Sequence, residues 1–184
     1  MNRVDSLARS YARHISAPWQ EGIAGSQRVV FVVYDKTDEL KLRAHVAEFE
    51  LATRSAEHDW HLIDVTDAFP KWMASQRYRD AYFECPDDLD GYQVGEVKGF
   101  TQNLIKDIKA ELEQNAHANQ VTALLGVGAL FGVSHVSTLV NGIANAVPGR
   151  LLVFFPGEYE NNTYRLLDAR DGWNYLAVPI LGND

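Results

Sequence analysis

The sequence is poor in the residues from which covalent and metal-bound frameworks are built. It contains one cysteine, Cys85, among 184 residues. A single thiol cannot form an internal disulfide, and it cannot supply the several thiolates of a structural zinc or iron–sulfur site. A chain of this length buries on the order of 70% of its unfolded surface when it folds, so it needs no such support. The cysteine count therefore excludes the disulfide-rich and cysteine-rich metal-binding classes.

Positive charge is scarce as well. The chain has 17 lysine and arginine residues against 25 aspartate and glutamate residues, which gives a formal net charge of −8. An acidic average argues against a broad grip on a nucleic-acid backbone, although it leaves room for a local basic patch. The basic residues form only short groups, such as Arg28, Lys71, Arg77 and Arg79. Direct DNA binding is therefore a weaker alternative.

The sequence also lacks an apolar run long enough to span a membrane. Residues 118–149 carry no Asp, Glu, Lys or Arg, but three glycines interrupt their apolar part, 121–133. That part covers about half of the roughly 20 residues that a spanning helix needs, so we expect a buried strand, a turn and a buried helix there. Residues 1–6 lead into alternating charges rather than an apolar segment, and we expect a cytoplasmic protein without an export signal.

Segments with strand-like and helix-like patterns alternate along the chain. Residues 28–34 form an almost unbroken β-branched and aromatic run, which is typical of a strand buried on both faces of a parallel sheet. Similar runs predict strands at 61–66, 121–127, 151–155 and 176–180, with Pro179 favouring an edge strand or a strand end. Apolar spacing predicts helices at about 3–16, after Asp38 as a capping residue, at 97–112 and at 136–147.

This order predicts one α/β domain over residues 1–184. We expect a mostly parallel sheet of about five strands with helices on both faces, which is a Rossmann-like three-layer sandwich. The order of the strands in the sheet cannot be read from these patterns.

The turn Gly126–Gly132 follows a predicted strand and precedes a predicted helix. Dinucleotide-binding and phosphate-binding loops occupy that position. The G-x-G-x-x-G fingerprint needs glycine at position 131, where Phe131 stands, and no G-K-[ST] motif is present. Gly126 and Gly128 are therefore weak candidates for cofactor binding. Close backbone packing is the favoured interpretation.

The sequence shows no complete catalytic or metal-binding motif. There is no G-x-S-x-G motif for a hydrolase serine. His58 and His61 lie near Asp59 and Asp64, but a strand would point alternate residues to opposite faces. The acidic stretch 84–90 favours a solvated loop or a contact for a basic partner. We expect no cofactor, no metal ion and no catalytic residue, and hence a protein that is not an enzyme.

The densest group of polar and aromatic residues is the segment 156–175. In an α/β sheet, the loop after a strand's carboxyl end commonly carries the binding surface, and Tyr, Trp and Arg dominate interface energies. The candidate partner-binding residues are Glu158, Tyr159, Tyr164, Arg165, Asp168, Arg170, Asp171 and Trp173. An equally weighted alternative is a hairpin or lid whose Arg–Asp pairs and Trp173 merely hold it onto its own sheet.

The same region resembles a known family. The segment 151–180, with the sequence LLVFFPGEYENNTYRLLDARDGWNYLAVPI, is similar to the C-terminal pattern of the BrxB family of bacteriophage exclusion (BREX) systems. The strand end Gly126–Leu130, GVGAL, is similar to that family's as well. The resemblance implies a cytoplasmic, non-catalytic accessory component of phage defence that binds the phosphatase-like PglZ component. It offers no catalytic residues to carry over.

Two alternatives remain open beside this resemblance. One is a small nucleotide- or metal-binding enzyme that uses the Gly126–Gly132 turn, with Asp64 or Asp168 near a metal ion. The other is a weak DNA-binding accessory subunit.

Overall fold

A computed structural model describes residues 3–85, 97, 99–169 and 172–182. The predicted acidic stretch therefore lies mostly outside the described residues, and so do Arg170 and Asp171. The helices and strands are α1 (Arg3–Ile15), β1 (Val29–Tyr34), α2 (Glu39–Ser55), β2 (Asp59–Asp64), α3 (Ala68–Ser75), α4 (Arg79–Glu84), α5 (Phe100–Asn115), β3 (Gln120–Leu125), α6 (Val136–Ile143), β4 (Arg150–Glu160), β5 (Thr163–Leu166), β6 (Trp173–Asn174) and β7 (Val178–Ile180).

The central sheet has the strand order β2-β3-β4-β1-β7, and every neighbouring pair along it is parallel. These five strands confirm the predicted α/β class and the mostly parallel sheet. β7 lies at one edge, as Pro179 predicts, because proline has no N–H to donate to a further strand. β5 pairs antiparallel with the outer half of β4, and β6 pairs antiparallel with β5, which agrees with the hairpin alternative for this segment.

Helices cover both faces of the sheet and form the predicted three layers. All six residues of β1 are buried, and they alternate between two apolar cores. Phe31 and Val33 belong to the core that includes α5 and α6, whereas Val30 and Val32 belong to the core that includes α1 and α2. Burial on both faces explains why this strand reads as a continuous apolar run.

The charge-free segment 118–149 folds as a buried strand, a short turn and a buried helix, as predicted. Every residue of β3 is buried, and α6 buries four apolar side chains along one face. No helix within the described part of the chain is both long enough and apolar enough to cross a membrane.

Asp38 stands at the start of α2, but its side chain does not cap the helix as predicted. The Asp38 carboxylate instead accepts a hydrogen bond from Lys41 Nζ at 2.8 Å, one turn into α2. Asp35 caps the short 3-10 helix Lys36–Asp38 that precedes α2, where its carboxylate accepts from the Thr37 backbone N–H at 2.9 Å. The lysine three residues after Asp38 attracts the carboxylate away from the backbone donors.

β4 is more than twice as long as the predicted strand and carries the chain out of the sheet. It pairs with β1 as far as Pro156 and then pairs with β5 in an antiparallel hairpin. Asn161 and Asn162 form the tip with φ values of 51° and 62°, and asparagine tolerates this left-handed conformation in tight hairpin turns. The expected loop after the fourth strand is therefore a β-hairpin.

Candidate functional site: the hairpin and the carboxyl edge of the sheet

The inner face of the hairpin is aromatic. Tyr164 is 1% exposed, its ring centroid lies 4.5 Å from that of Phe31, and its hydroxyl donates to the Ala177 carbonyl at 3.0 Å. Tyr159 and Trp173 pack beside Tyr164, with centroid distances of 4.6 and 6.2 Å. These three candidate residues therefore hold the hairpin onto its own sheet. Tyr164 in particular has no exposed surface to offer a partner.

The outer face of the hairpin is charged and exposed. Glu158 lies opposite Arg165 and Glu160 lies opposite Thr163, so these four side chains share one face. The Glu158 carboxylate lies 3.5 Å from an Arg165 guanidinium nitrogen, and the two side chains are 69% and 45% exposed. Ion pairs this exposed contribute little to stability. Their side chains remain available to another molecule.

Asp168 joins the end of the hairpin to the loop after β1. Its carboxylate forms an ion pair with Lys36. The Leu167 backbone N–H donates to the Pro156 carbonyl at 2.9 Å, which closes the base of the hairpin. The other two charged candidates of this segment, Arg170 and Asp171, are not among the described residues.

A polar network that the sequence analysis missed links the carboxyl ends of β1 and β2. The Arg43 guanidinium donates to Glu39 Oε1 at 2.7 Å, to Thr66 Oγ1 at 2.7 Å and to Asp64 Oδ2 at 3.3 Å. The Tyr34 hydroxyl donates to the second oxygen of Glu39. The spacing of Glu39 and Arg43, four residues apart in a predicted helix, was the available signal.

Burial and hydrogen bonding act in opposite directions on the pKa of Asp64. Burial raises the pKa, but the hydrogen bonds from Thr66 and the nearby Arg43 charge outweigh it and hold the pKa below its ordinary value of 3.8. For Tyr34, burial and the hydrogen bond to the Glu39 carboxylate both raise the pKa of the phenol. The network therefore keeps Asp64 charged and Tyr34 neutral at neutral pH.

The depressed pKa of Asp64 predicts a pH-dependent stability. The folded state binds a proton less readily than the unfolded state, so the stabilisation is present above pH 3.8 and is lost as the pH falls below it. We expect Asp64→Asn to flatten the acid limb of the free energy of unfolding, measured by urea titration from pH 7 to pH 3. Asp80→Asn, at a side chain that is 87% exposed, serves as the control. An unchanged acid limb in Asp64→Asn contradicts this role.

The two candidate cofactor glycines lie against side chains of the chain itself. Gly126 has a φ of 88°, and a Cβ there would lie 2.3 Å from Thr66 Oγ1 and 2.8 Å from Asp64 Oδ1. A Cβ at Gly128 would lie 3.0 Å from Pro156 Cγ. Both glycines thus serve close packing. An open cavity of about 340 Å³ remains beside Gly128 and is lined by Lys36, Glu39, Arg43, Thr66, Ala129, Pro156 and Leu167 as well.

The structure separates the histidines that the sequence places close together. His61 Nε2 lies 2.8 Å from Glu111 Oε1, whereas the His58 ring stacks on Trp19. Among the residues that the structure describes, no group of three or more His, Cys, Asp or Glu side chains could hold a metal ion. The arrangement brings Asp64 to Arg43 and Asp168 to Lys36, so each of the two candidate aspartates pairs with a cation.

Comparison with known proteins gives a match at the level of the family. A family model described as "BREX protein BrxB" matches residues 73–180. The match runs from the end of α3 to β7 and includes the Gly126 turn and the hairpin. No curated protein and no solved structure matches the chain significantly. Because the family match covers more than half of the chain, the chain belongs to the BrxB family and is a component of a BREX phage-defence system.

Proposed function

We propose that this BREX component is a non-enzymatic adaptor of the cytoplasm that docks PglZ through the outer face of its hairpin. The observation that carries the proposal is the division of the hairpin into two faces. The inner aromatic face fixes the hairpin on the sheet, and the outer face presents Glu158, Glu160 and Arg165 to the surroundings. A binding surface that is rigid before contact loses less conformational entropy on association.

The charge of the outer face indicates the kind of surface that it fits. Glu158 and Glu160 are two carboxylates against the single guanidinium of Arg165, and all three side chains are exposed. A basic patch on PglZ would complement this face, because opposite charges steer association and disfavour wrong partners.

The carboxyl edge supports an adaptor rather than an enzyme. Catalysis needs polar groups that converge on a reacting atom and remain available to it. Here the Arg43 guanidinium is shared among Glu39, Asp64 and Thr66, and Lys36 is paired with Asp168. These groups satisfy one another, which is the pattern of a structural network.

Charge reversal on the outer face tests the docking surface. We expect the double variant Glu158→Lys and Glu160→Lys to weaken PglZ binding by about tenfold or more, because it turns attraction into repulsion. Its melting temperature stays near that of the parent, since both side chains are exposed. Affinity is measured by titrating purified PglZ against immobilised chain.

The matched control carries the same change of charge elsewhere. Glu48 on α2 and Glu113 on α5 are exposed and lie on other elements, so Glu48→Lys with Glu113→Lys should leave the affinity close to the parent value. Equal affinities of the two double variants for PglZ would overturn the proposed surface. Thermal stabilisation by a nucleotide with Mg²⁺ would instead favour the alternative that uses the Gly126–Gly132 turn.

A further inference from the structure

Two arginines stand side by side at the amino edge of the sheet, opposite to the hairpin. Arg28 immediately precedes β1, and Arg150 begins the neighbouring parallel strand β4. Val29 pairs with Leu151, so the register places the two arginines next to each other. Adjacent parallel strands lie about 4.8 Å apart, so the two side chains leave neighbouring backbone positions. Their guanidiniums donate to the successive carbonyls of Pro148 and Gly149.

Neither arginine has an acidic partner within the described residues. Arg43, Arg54 and Arg165 each lie within 4.0 Å of a carboxylate, but no described carboxylate comes that close to Arg28 or Arg150. The acceptors that they do reach are backbone carbonyls, those of Pro148, Gln20 and Gly149. In a chain of net charge −8, this pair is a positive site that no carboxylate of the described residues neutralises by direct contact.

Aromatic packing holds the Arg150 side chain in place. Its guanidinium carbon lies 4.6 Å from the ring centroid of Trp19, and the Trp19 ring stacks on that of His58 with a centroid distance of 3.8 Å. The Gln20 carbonyl accepts from Arg150 Nη2 at 3.2 Å. A guanidinium held by a ring and a carbonyl is oriented before a ligand arrives, and this lowers the entropy cost of binding.

The surrounding electrostatics favour an incoming anion. Burial and the charge of Arg28 lower the pKa of Arg150, and burial and the charge of Arg150 lower the pKa of His14. His14 is therefore neutral at neutral pH, and the site then carries the two arginine charges. An anion in contact with both guanidiniums would offset their mutual repulsion.

We propose that Arg28 and Arg150 bind a phosphate group. A phosphomonoester dianion carries two charges and several acceptor oxygens, which match two guanidiniums better than a carboxylate with a single charge does. The Trp19 ring is already engaged by His58 and Arg150, so the site recognises phosphate rather than a nucleobase. This site is separate from the hairpin surface and does not depend on the adaptor role.

Binding of inorganic phosphate tests this site. We expect phosphate to raise the melting temperature by about 3 °C over chloride at equal ionic strength, with a saturable dependence on concentration. The double variant Arg28→Gln with Arg150→Gln should lose this increment, whereas Arg54→Gln, which removes an arginine paired with Glu50, should keep it. Broadening of the phosphate ³¹P NMR line by the parent chain measures the binding directly.

An equal increment in the parent and in the double variant would show a general salt effect and overturn the proposal. If the double variant does not fold, Arg150→Lys replaces it, because lysine keeps the charge but loses the planar fork of donors. That variant should bind phosphate at least about fivefold more weakly by ³¹P NMR. Unchanged line broadening would then contradict the site.

Two further ligands identify the source of the phosphate. A nucleoside monophosphate carries a dianionic phosphate, whereas the internal phosphates of a single-stranded oligonucleotide each carry one charge. We expect competition with inorganic phosphate by the monophosphate and weaker competition by the oligonucleotide, because the acidic chain repels a polyanion. The opposite order would assign the site to a nucleic-acid backbone, and competition by neither would overturn it.

Discussion

Replacing Tyr164 by alanine is expected to lower the free energy of unfolding by about 3–5 kcal/mol. Tyr164 is 1% exposed and lies between the hairpin and the sheet, where its ring meets Phe31 and Phe155 at centroid distances of 4.5 and 5.8 Å. The truncation removes these contacts and leaves a cavity. It also leaves the Ala177 carbonyl without its hydrogen bond from the phenol. Urea unfolding followed by circular dichroism measures the loss.

The matched variant Tyr164→Phe separates the ring from the hydroxyl. It keeps the aromatic contacts and loses only the hydrogen bond to Ala177, so the expected loss is about 1 kcal/mol. Tyr164→Phe should also keep PglZ binding, whereas Tyr164→Ala should lose it, because the outer face needs a fixed hairpin. A loss below about 1 kcal/mol for Tyr164→Ala would contradict the anchoring role of the inner face.

The second large effect is expected at Gly126. Alanine there faces a φ of 88° and places its Cβ within 3.0 Å of Thr66 Oγ1, Thr66 N and Asp64 Oδ1. The left-handed backbone costs an ordinary residue about 1–2 kcal/mol, and displacement of the Thr66 backbone adds to that cost. We expect Gly126→Ala to lose about 3 kcal/mol or more of unfolding free energy, measured by urea titration.

Gly132 provides the control, because it differs from Gly126 in one respect. Its φ is 82°, nearly the same, but a Cβ there would meet nothing within 4 Å. Gly132→Ala should therefore lose only the backbone contribution of about 1–2 kcal/mol. Equal losses of unfolding free energy in the two variants would show that close packing against Asp64 and Thr66 does not explain the need for glycine at position 126.

The sequence allowed the class of fold to be predicted, since that information is local. Residues 29–34 are β-branched or aromatic throughout because β1 is buried on both faces. The spacing of Val4, Leu7 and Tyr11 predicted α1, whose observed end at Ile15 is one residue before the expected one. The strand order depends on contacts between β1, β4 and β7, which are distant in the sequence, so no local pattern reveals it.

The hairpin shows why site prediction was only partly possible. The two asparagines at 161 and 162 are a turn signal, but the aromatic residues on either side are equally typical of an interface and of a core. Whether an aromatic residue belongs to the interface or to the core depends on the direction of its side chain. Tyr159 pairs with Tyr164 across the hairpin, and both rings lie on the inner face. The Arg43 network was missed because Glu39, Asp64 and Thr66 meet only after the strands are aligned.

Light scattering of the chain co-purified with PglZ from its own operon tests the adaptor role most directly. The predicted result is a complex of fixed stoichiometry with the parent chain, and separate species with Glu158→Lys and Glu160→Lys. Tyr164→Phe and the control reversals at Glu48 and Glu113 should co-purify with PglZ as the parent does. If light scattering instead gives the masses of the unmodified chain and of PglZ as separate species at every concentration tested, the result would contradict the adaptor role.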